Sequence, residues 1–565
     1  MVPSAVGNLQ SANCRLPTVD CRLFSYLFGS GYASLCMTNK FNYILLLSVL
    51  IITPLFFLPF TPEDPFLLPK RAVSTFLACS ILIFVFFPAN KLLTTLSSSL
   101  FLATLLLLTC FAVTIPYSTN HHEGFDELKR WACLFALFLA AAQIKWSRNI
   151  LLPLIKICMG ISCFIALYAL LEYFEILSFY PCGFSKKRIY SFFGYQNILA
   201  QYLSIMVLWS LGILVNCSSL KTKILTISCI SLSSLALFFT FCRGGMVSTI
   251  IGGIFFFVYY LGIRLKASPV SPIVSLCSSK KRVIFFLCIV SFVFALPVAA
   301  LWGKIPIQHK KTSRHISTII SRKDNLRFTL WKDSAKMLIQ SPVRGVGLGN
   351  YFIQYPLYKS GKWKWMTIDA HNELLHMVTE TGIVGFCGIC IFLFVIIRAI
   401  LRNFLFKYTT ETKLLFLAPA AGCIATLSQS MVSYDLHSST SSVYFFIGLG
   451  ILCSGEFEET KTETPFFDTM FKKILVIVPV IFVSIWGMHG EYRKIIGHYY
   501  YNNALNALIE EDPQECIEYS LKAIELQPYN SKYHRLISIA YEDSDQHELA
   551  ERHYRKVLTL TPNHK

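Results

Sequence analysis

Three segments of this chain carry polar side chains that could do chemistry, each beside long apolar stretches. The first is Lys186-Lys187-Arg188, followed by Ser191-Phe192-Phe193-Gly194-Tyr195-Gln196-Asn197 and Ala200. The second is Cys242-Arg243-Gly244-Gly245, a lone arginine in a very short turn between two apolar runs. The third holds Arg327 and Trp331, then Pro342 to Asn350 with three glycines, then His371-Asn372-Glu373 and Glu380-Thr381-Gly382. Ionisable groups close to apolar spans are costly and are seldom kept without a task. Guanidinium forks suit phosphate oxygens, so Arg188, Arg243 and Arg327 are candidates for one anion-binding pocket. Histidine takes a proton near neutral pH, which makes His371 a candidate general base. Arginines around one base would suit transfer from a lipid diphosphate, although spacing alone does not force that reading.

Each of these residues has a plainer reading too. An arginine at a helix end is often an anchor at the membrane surface, and a lone loop histidine is often structural. The run Gly345-Val346-Gly347-Leu348-Gly349 lacks the strand-then-helix context of a dinucleotide loop and reads as a tight turn. His371 and His376 are five residues apart, about 140° around a helix. They do not make the i, i+4 pair of a zinc protease, and neither a metal nor a cofactor is expected. Tyr351, Tyr355, Tyr358, Trp363 and Trp365 could stack on sugar rings or form an interfacial belt.

Such segments need membrane helices to hold them. Of 565 residues, 54% are apolar and 15% charged, with mean hydropathy +0.54, whereas soluble domains run nearer a quarter charged. A soluble enzyme, a disordered chain and a secreted disulfide scaffold are excluded. The nineteen cysteines are an odd count. Most lie inside apolar runs (Cys79, Cys110, Cys158, Cys288, Cys423) as small hydrophobes. Cys387 and Cys390 have redox spacing but sit in an apolar helix, where packing is the expected role.

Thirteen apolar segments approach the length that crosses a bilayer: 41–60, 72–87, 92–115, 129–144, 150–177, 197–215, 223–241, 244–263, 283–302, 379–400, 413–432, 439–453 and 474–489. The fourth and twelfth are short, so the expected fold is an all-α polytopic membrane protein of about 12–13 spans. The formal charge of +19 comes largely from helix flanks and calls for no nucleic acid. With the N-terminus inside, Lys145 and Arg148, Lys221 and Lys223, Arg264 to Arg282, and Arg398 to Lys413 follow the positive-inside bias. The chain then divides into a weakly structured leader 1–40, with Met37 a plausible alternative start, and spans one to nine in 41–302. A large outer loop 303–378, spans ten to thirteen in 379–489, and a polar helical tail 497–565, also outside, complete it.

The tail contains a 34-residue echo. Cys516, Ser520, Ala523 and Pro528 recur as Ala550, Tyr554, Val557 and Pro562, and Ala504 and Ala507 recur as Ser538 and Tyr541. Small, aromatic and proline positions at this period resemble tetratricopeptide repeats. Two repeats are fewer than such stacks usually need, so the tail is expected to dock on something, such as a protein partner.

Taken in order, Gly194 to Ala200, Arg243-Gly244-Gly245, Arg327 with Trp331, Pro342 to Tyr351, and His371 to Leu375 with Glu380-Thr381-Gly382 surround one large outer loop. This arrangement resembles the O-antigen ligase family, whose core is shared with O-antigen polymerases and bacterial protein O-oligosaccharyltransferases. The resemblance covers about residues 40–455. It implies an all-helical fold and transfer of a glycan from undecaprenyl diphosphate to an acceptor at the periplasmic face of the bacterial inner membrane, without nucleotide or metal. It also implies that Arg243 and Arg327 hold the donor diphosphate with Arg188 beside them, and that His371 activates the acceptor hydroxyl. Gln196, Asn197, Trp331, Asn372 and Glu380 would shape or support the cavity. Cys242 stands where many relatives have serine, and Tyr195 where asparagine is frequent; neither removes a catalytic group.

The first functional expectation is ligation of O-antigen-like polysaccharide to lipid A–core. A polymerase and a protein O-oligosaccharyltransferase share the donor chemistry, and an outward repeat tail able to bind peptide mildly favours a protein acceptor or partner. A transporter of lipid-linked glycans would bury charges mid-membrane and show related halves, and the sequence shows neither. A membrane-anchored scaffold has no use for thirteen spans.

Overall fold

The computed structural model describes residues 37–58, 66–86, 98–177, 189–266, 325–361, 367, 369–454 and 466–562. The leader 1–36, Arg188, the apolar segment 283–302, Trp363 and Trp365 lie outside the described residues. Among those described, no strand occurs. The first group of helices is α1 Met37–Leu55, α2 Leu67–Phe86, α3 Ser99–Ala112, α4 His121–Gln143, α5 Arg148–Tyr173, α6 Gln196–Asn216, α7 Leu220–Phe239 and α8 Arg243–Lys266. The second is α9 Asn325–Gln340, α10 Glu373–Arg402, α11 Thr410–Ser430, α12 Ser439–Leu452, α13 Phe466–Ile509, α14 Pro513–Leu526, α15 Ser531–Asp543 and α16 His547–Leu560. Among the described residues, six helical segments are long and apolar enough to cross a membrane, namely α3 with its short extension to Tyr117, α5 to α8, and α10, and α1 and α12 are shorter apolar helices. The molecule is an all-α polytopic membrane protein.

The central helix is α6, whose apolar window is 89% buried among α5, α7, α8 and α11. Lipid tails are as apolar as leucine, so membrane helices associate through close packing, which small residues permit. Gly245 at the start of α8 shows this: a Cβ there would lie 2.7 Å from the Cβ of Ala200 on α6. The starts of these two helices, 196 and 243, are thereby pressed together.

Helix α10 is broken and re-sealed near its N-terminal end. Gly382 leaves the helical region (φ 60°, ψ −157°), so the amides of Ile383 and Val384 cannot reach the carbonyls of Thr379 and Glu380. The glycine-rich loop replaces both sides of the missing ladder. Ile383 and Val384 donate to Pro342 (2.9 Å) and Val343 (3.3 Å), while Val346 and Gly347 donate to Thr379 (3.0 Å) and Glu380 (2.9 Å). Backbone groups at membrane depth must find partners, and this exchange supplies them. It requires positive φ at Gly345, Gly347 and Gly349, and a Cβ at Gly345 would come within 2.3 Å of the Glu380 carbonyl. The glycine run is a structural turn, as its lack of flanking elements suggests.

Two helices differ in extent from the apolar pattern. The apolar stretch 129–144 belongs to α4, which starts at His121 with an Asn120 cap accepting from the His122 amide at 3.1 Å. Its charged first turns are packed against protein, Glu127 and Arg130 being buried. The last apolar stretch and the beginning of the tail form one helix, α13, of 44 residues. Hydrophobicity marks where a helix meets lipid and says little about where a charged helix continues against protein.

The 34-residue period of the tail is repeated in its backbone. Glu511 and Asp545 both have positive φ. Asp512 donates to the Ala507 carbonyl as Gln546 does to Tyr541, and Gln527 to Ala523 as Thr561 does to Val557. The tail packs on the bundle through α13 against α2, and Lys129 of α4 pairs with Glu491 of α13.

Candidate active site

His371 lies in the two-residue approach to α10, in a left-handed conformation (φ 49°) that non-glycine residues seldom adopt. Its own neighbours hold it there. The carboxylate of Asp369 accepts from the His371 amide at 2.7 Å and from the imidazole Nδ1 at 2.9 Å. The intervening Ala370 is clamped from two sides: Trp331 donates its indole N–H to the Ala370 carbonyl (3.1 Å), and the Ala370 amide donates to His376 Nδ1 (3.4 Å). Asp369 is buried, whereas a quarter of the His371 side chain remains exposed. The Nδ1 side is thus engaged by a carboxylate, which is how a histidine base is oriented.

Next to the histidine is the link between α11 and α12. Tyr434 lies against the His371 ring, 5.4 Å between centroids. Asp435 is fully buried, and its Oδ2 has no hydrogen-bond partner among the described residues. Burial, with Glu373 and Asp369 close by, pushes its carboxyl well above the usual range. His437 donates through Nδ1 to Glu373 (2.6 Å) and lies 3.3 Å through Nε2 from Glu127, which in turn holds Arg130 at 3.0 Å. Burial pulls the His437 pKa down, but Glu373 and then Glu127 outweigh it and raise it to about 10. His437 is therefore a cation between two carboxylates, tying α10 to α4.

Arg243 is exposed at the first residue of α8. The turn before it is shaped by Phe241 in positive φ and by the Cys242 thiol, which accepts from the Gly245 amide at 3.4 Å. The sulfur occupies the helix-capping place that suits a serine hydroxyl better. Burial pushes the Cys242 thiol up to about 11, with Asp435 adding to the rise and Arg327 opposing it. Arg327 and Asp435 therefore both lie within electrostatic reach of the turn that presents Arg243. Gln429 binds the pieces together. Its amide donates to the Asn197 carbonyl (3.1 Å) and to Asp435 (3.2 Å), while its oxygen accepts from Ser248 (3.4 Å).

Residues 228–390 match the family model of the O-antigen ligase. The match takes in Arg243, Arg327, Trp331, the glycine-rich turn, His371, Asn372 and Glu380, under a third of the chain. It ends before Asp435 and His437 and begins after Gln196 and Asn197. No curated protein matches the chain closely enough to stand as a relative.

The sequence candidates separate by what they touch. His371 and Trp331 are joined through Ala370, and Arg243 and Arg327 approach one turn. Asn372 caps α10, accepting from the Leu375 amide at 3.0 Å. Glu380 accepts from the Gly349 and Tyr351 amides, both at 2.9 Å, so its carboxylate clamps the glycine turn. Gln196 is half-buried at the start of α6, and Asn197 contributes its carbonyl to Gln429. Cys387 and Cys390 are free and face outward on α10, outside the packed core. Asp369, Gln429, Asp435 and His437 escaped the sequence reading. Two ionisable residues in the short link 433–438 between apolar helices were the available signal.

Proposed function

We propose that this chain is a glycosyltransferase of the bacterial inner membrane that moves a glycan from undecaprenyl diphosphate to an acceptor hydroxyl at the periplasmic face, ligating O-antigen-like polysaccharide to lipid A–core. The observation that carries the reading is the Asp369–His371 pair, clamped by Trp331 beside the α11–α12 link and the arginine-bearing turn. His371 Nε2 takes the proton of the acceptor hydroxyl as its oxygen forms a bond to the anomeric carbon of the glycan. The bond from that carbon to the diphosphate breaks, and its electron pair leaves with the lipid diphosphate. Arg243 and Arg327, joined by Arg188, bind the diphosphate and stabilise the charge that grows as the bond breaks, which lowers the barrier rather than merely tightening ground-state binding. Gln196 and Asn197 line the mouth of the cavity. The helical tail acts as a tetratricopeptide-like module that docks a partner or acceptor.

The test is transfer in vitro. Purified protein receives undecaprenyl-diphosphate-linked glycan and, in separate reactions, lipid A–core, a protein acceptor or no acceptor, with EDTA present and His371→Ala in parallel. Transfer to lipid A–core by wild type alone is the expected result. Lengthening of the donor glycan, or transfer to protein, would reassign the acceptor and make the chain a polymerase or a protein O-oligosaccharyltransferase. Equal rates with and without His371 would remove its role.

A further inference from the structure

Helix α13 turns one stripe toward α4 and the tail: His489, Gly490, Arg493, Lys494, Gly497 and His498, spaced as one helix face. Two of the six are glycines: a Cβ at Gly497 would press on Gln527 at 3.3 Å, whereas Gly490 leaves space. A Cβ at Gly490 would meet only the Lys129 ammonium at 3.6 Å. Between α4, α13 and the turn after α14 there remains a cavity of about 410 Å³. Its size suits a small organic ligand of one or two rings and is too compact for an extended peptide.

The walls are basic and aromatic. Arg71, Lys129 and Lys494 surround Asp126, with Arg71 at 2.5 Å and Lys129 at 3.0 Å. Of these cations Lys129 and Lys494 line the space, and Arg493 adds a third positive charge at the wall, donating to the Glu525 carbonyl (2.8 Å). Opposing them in the lining are Asp126 and Glu123, and burial with Asp126 nearby pushes the Glu123 carboxyl up. A positive surplus thus faces the space. Trp486, Tyr529 and Tyr533 supply aromatic surfaces, Tyr529 being stacked on His122 at 3.5 Å between ring centroids.

The cavity also has a definite height. Just before it, α13 exposes Val478, Phe482, Val483, Ile485 and Trp486, the face a membrane helix offers to lipid. Tryptophan at the end of such a stretch marks the headgroup level. The cavity also stands at the same end of the bundle as His371. Asp126 lines it, and the next residue, Glu127, reaches His437. Only the width of α4, about 10–12 Å with side chains, separates the two.

We propose that this cavity binds the phosphorylated sugar head of the acceptor lipid, its acyl chains lying along the exposed face of α13. Cations engage the phosphate and the aromatic rings cover the sugar. The assignment rests on the ligase reading for the identity of the lipid.

The test uses full-length protein in phosphatidylcholine nanodiscs. Lipid A, the same lipid stripped of phosphate, and inorganic phosphate as competitor are the probes, with binding followed by native mass spectrometry. Trp486→Ala combined with Arg493→Ala should weaken lipid A binding at least tenfold. Gly490→Leu, which fills the space beside Lys129 without removing a charge, should do the same, and the phosphate-free lipid should bind wild type at least tenfold less well. Unchanged lipid A binding in these variants would overturn the proposal, as would displacement by equimolar inorganic phosphate or a preference for an acidic peptide. Transfer assays on the same preparations separate this site from the ligase reading. His371→Ala should bind lipid A normally and transfer nothing, while Arg493→Ala should raise the acceptor KM tenfold with kcat retained. An unchanged acceptor KM would remove the cavity and leave the ligase. Lipid A bound here by a wild-type protein that transfers nothing to lipid A–core would keep the cavity and remove the ligase.

Discussion

A base that is to accept a proton from a bound hydroxyl must keep one nitrogen open and its ring still. In this protein both needs are met by hydrogen bonds around Ala370. Trp331→Phe keeps the ring but loses the bond to the Ala370 carbonyl, worth about 0.5–1.5 kcal/mol; transfer should fall several-fold with the protein still folded, read as kcat in the transfer assay. His371→Ala should cost about 10²–10⁴ in rate, the usual contribution of a base, and Arg243→Ala about 10²–10³. His437 has a separate signature. Its pKa is raised above the ordinary histidine value, to about 10, so its contribution to stability is complete below about 6.5. That contribution is lost as pH rises through 10. Thermal unfolding in detergent at pH 7 and pH 10.5 should show the loss in wild type and not in His437→Gln. Arg243 stood out because it interrupts apolar sequence, and Arg327 and His371 because their motifs flank the glycine run of one long loop. Asp369 and Asp435 did not, because nothing in their spacing shows that Asp369 turns back onto His371 or that Asp435 is buried against Gln429.

At the level of elements, the exchange between the glycine turn and α10 is the joint on which the histidine depends. Gly345→Ala would force a Cβ toward the Glu380 carbonyl at a positive φ, and Gly382→Ala meets the Val343 carbonyl at 2.5 Å. Each should destabilise by about 1–3 kcal/mol through backbone strain alone, seen as a lower melting temperature of the purified protein. Sequence showed two glycine-bearing motifs more than thirty residues apart, and only the folded backbone shows that each completes the other. The tail carries an acid-sensitive pair. His534 and His553 face each other at 3.0 Å, and burial followed by the neighbouring His534 lowers the His553 pKa to about 4. A lowered value means stability that is present above about 6.5 and lost as pH falls toward 4. Proteolysis within 531–560 should therefore rise over that window, and His553→Gln should flatten the response.

Across the whole molecule, bundle and tail are joined by buried charge. Asp126 serves Arg71, Lys129 and Lys494 together. Asp126→Ala would remove the carboxylate these cations share and leave Lys129 and Lys494 with Glu491 alone, at a cost of about 1–3 kcal/mol, and should open the junction to limited proteolysis near 490–530. The spans were legible because apolar length is a direct physical requirement of the bilayer. The docking of the tail was not, because it depends on a charged face of α4 that reads as an outer loop. The unbroken course of α13 from lipid-facing side chains into the tail makes that helix a ruler. At 1.5 Å per residue, the stretch after His489 is about 30 Å long, so whatever the tail holds is carried at a set distance from the apolar part of α13 and cannot swing on a tether. One alanine inserted after His489 would turn the tail by about 100° and point its cargo away from the bundle. In such a molecule, reach and aim are written in the number of residues in a single rod.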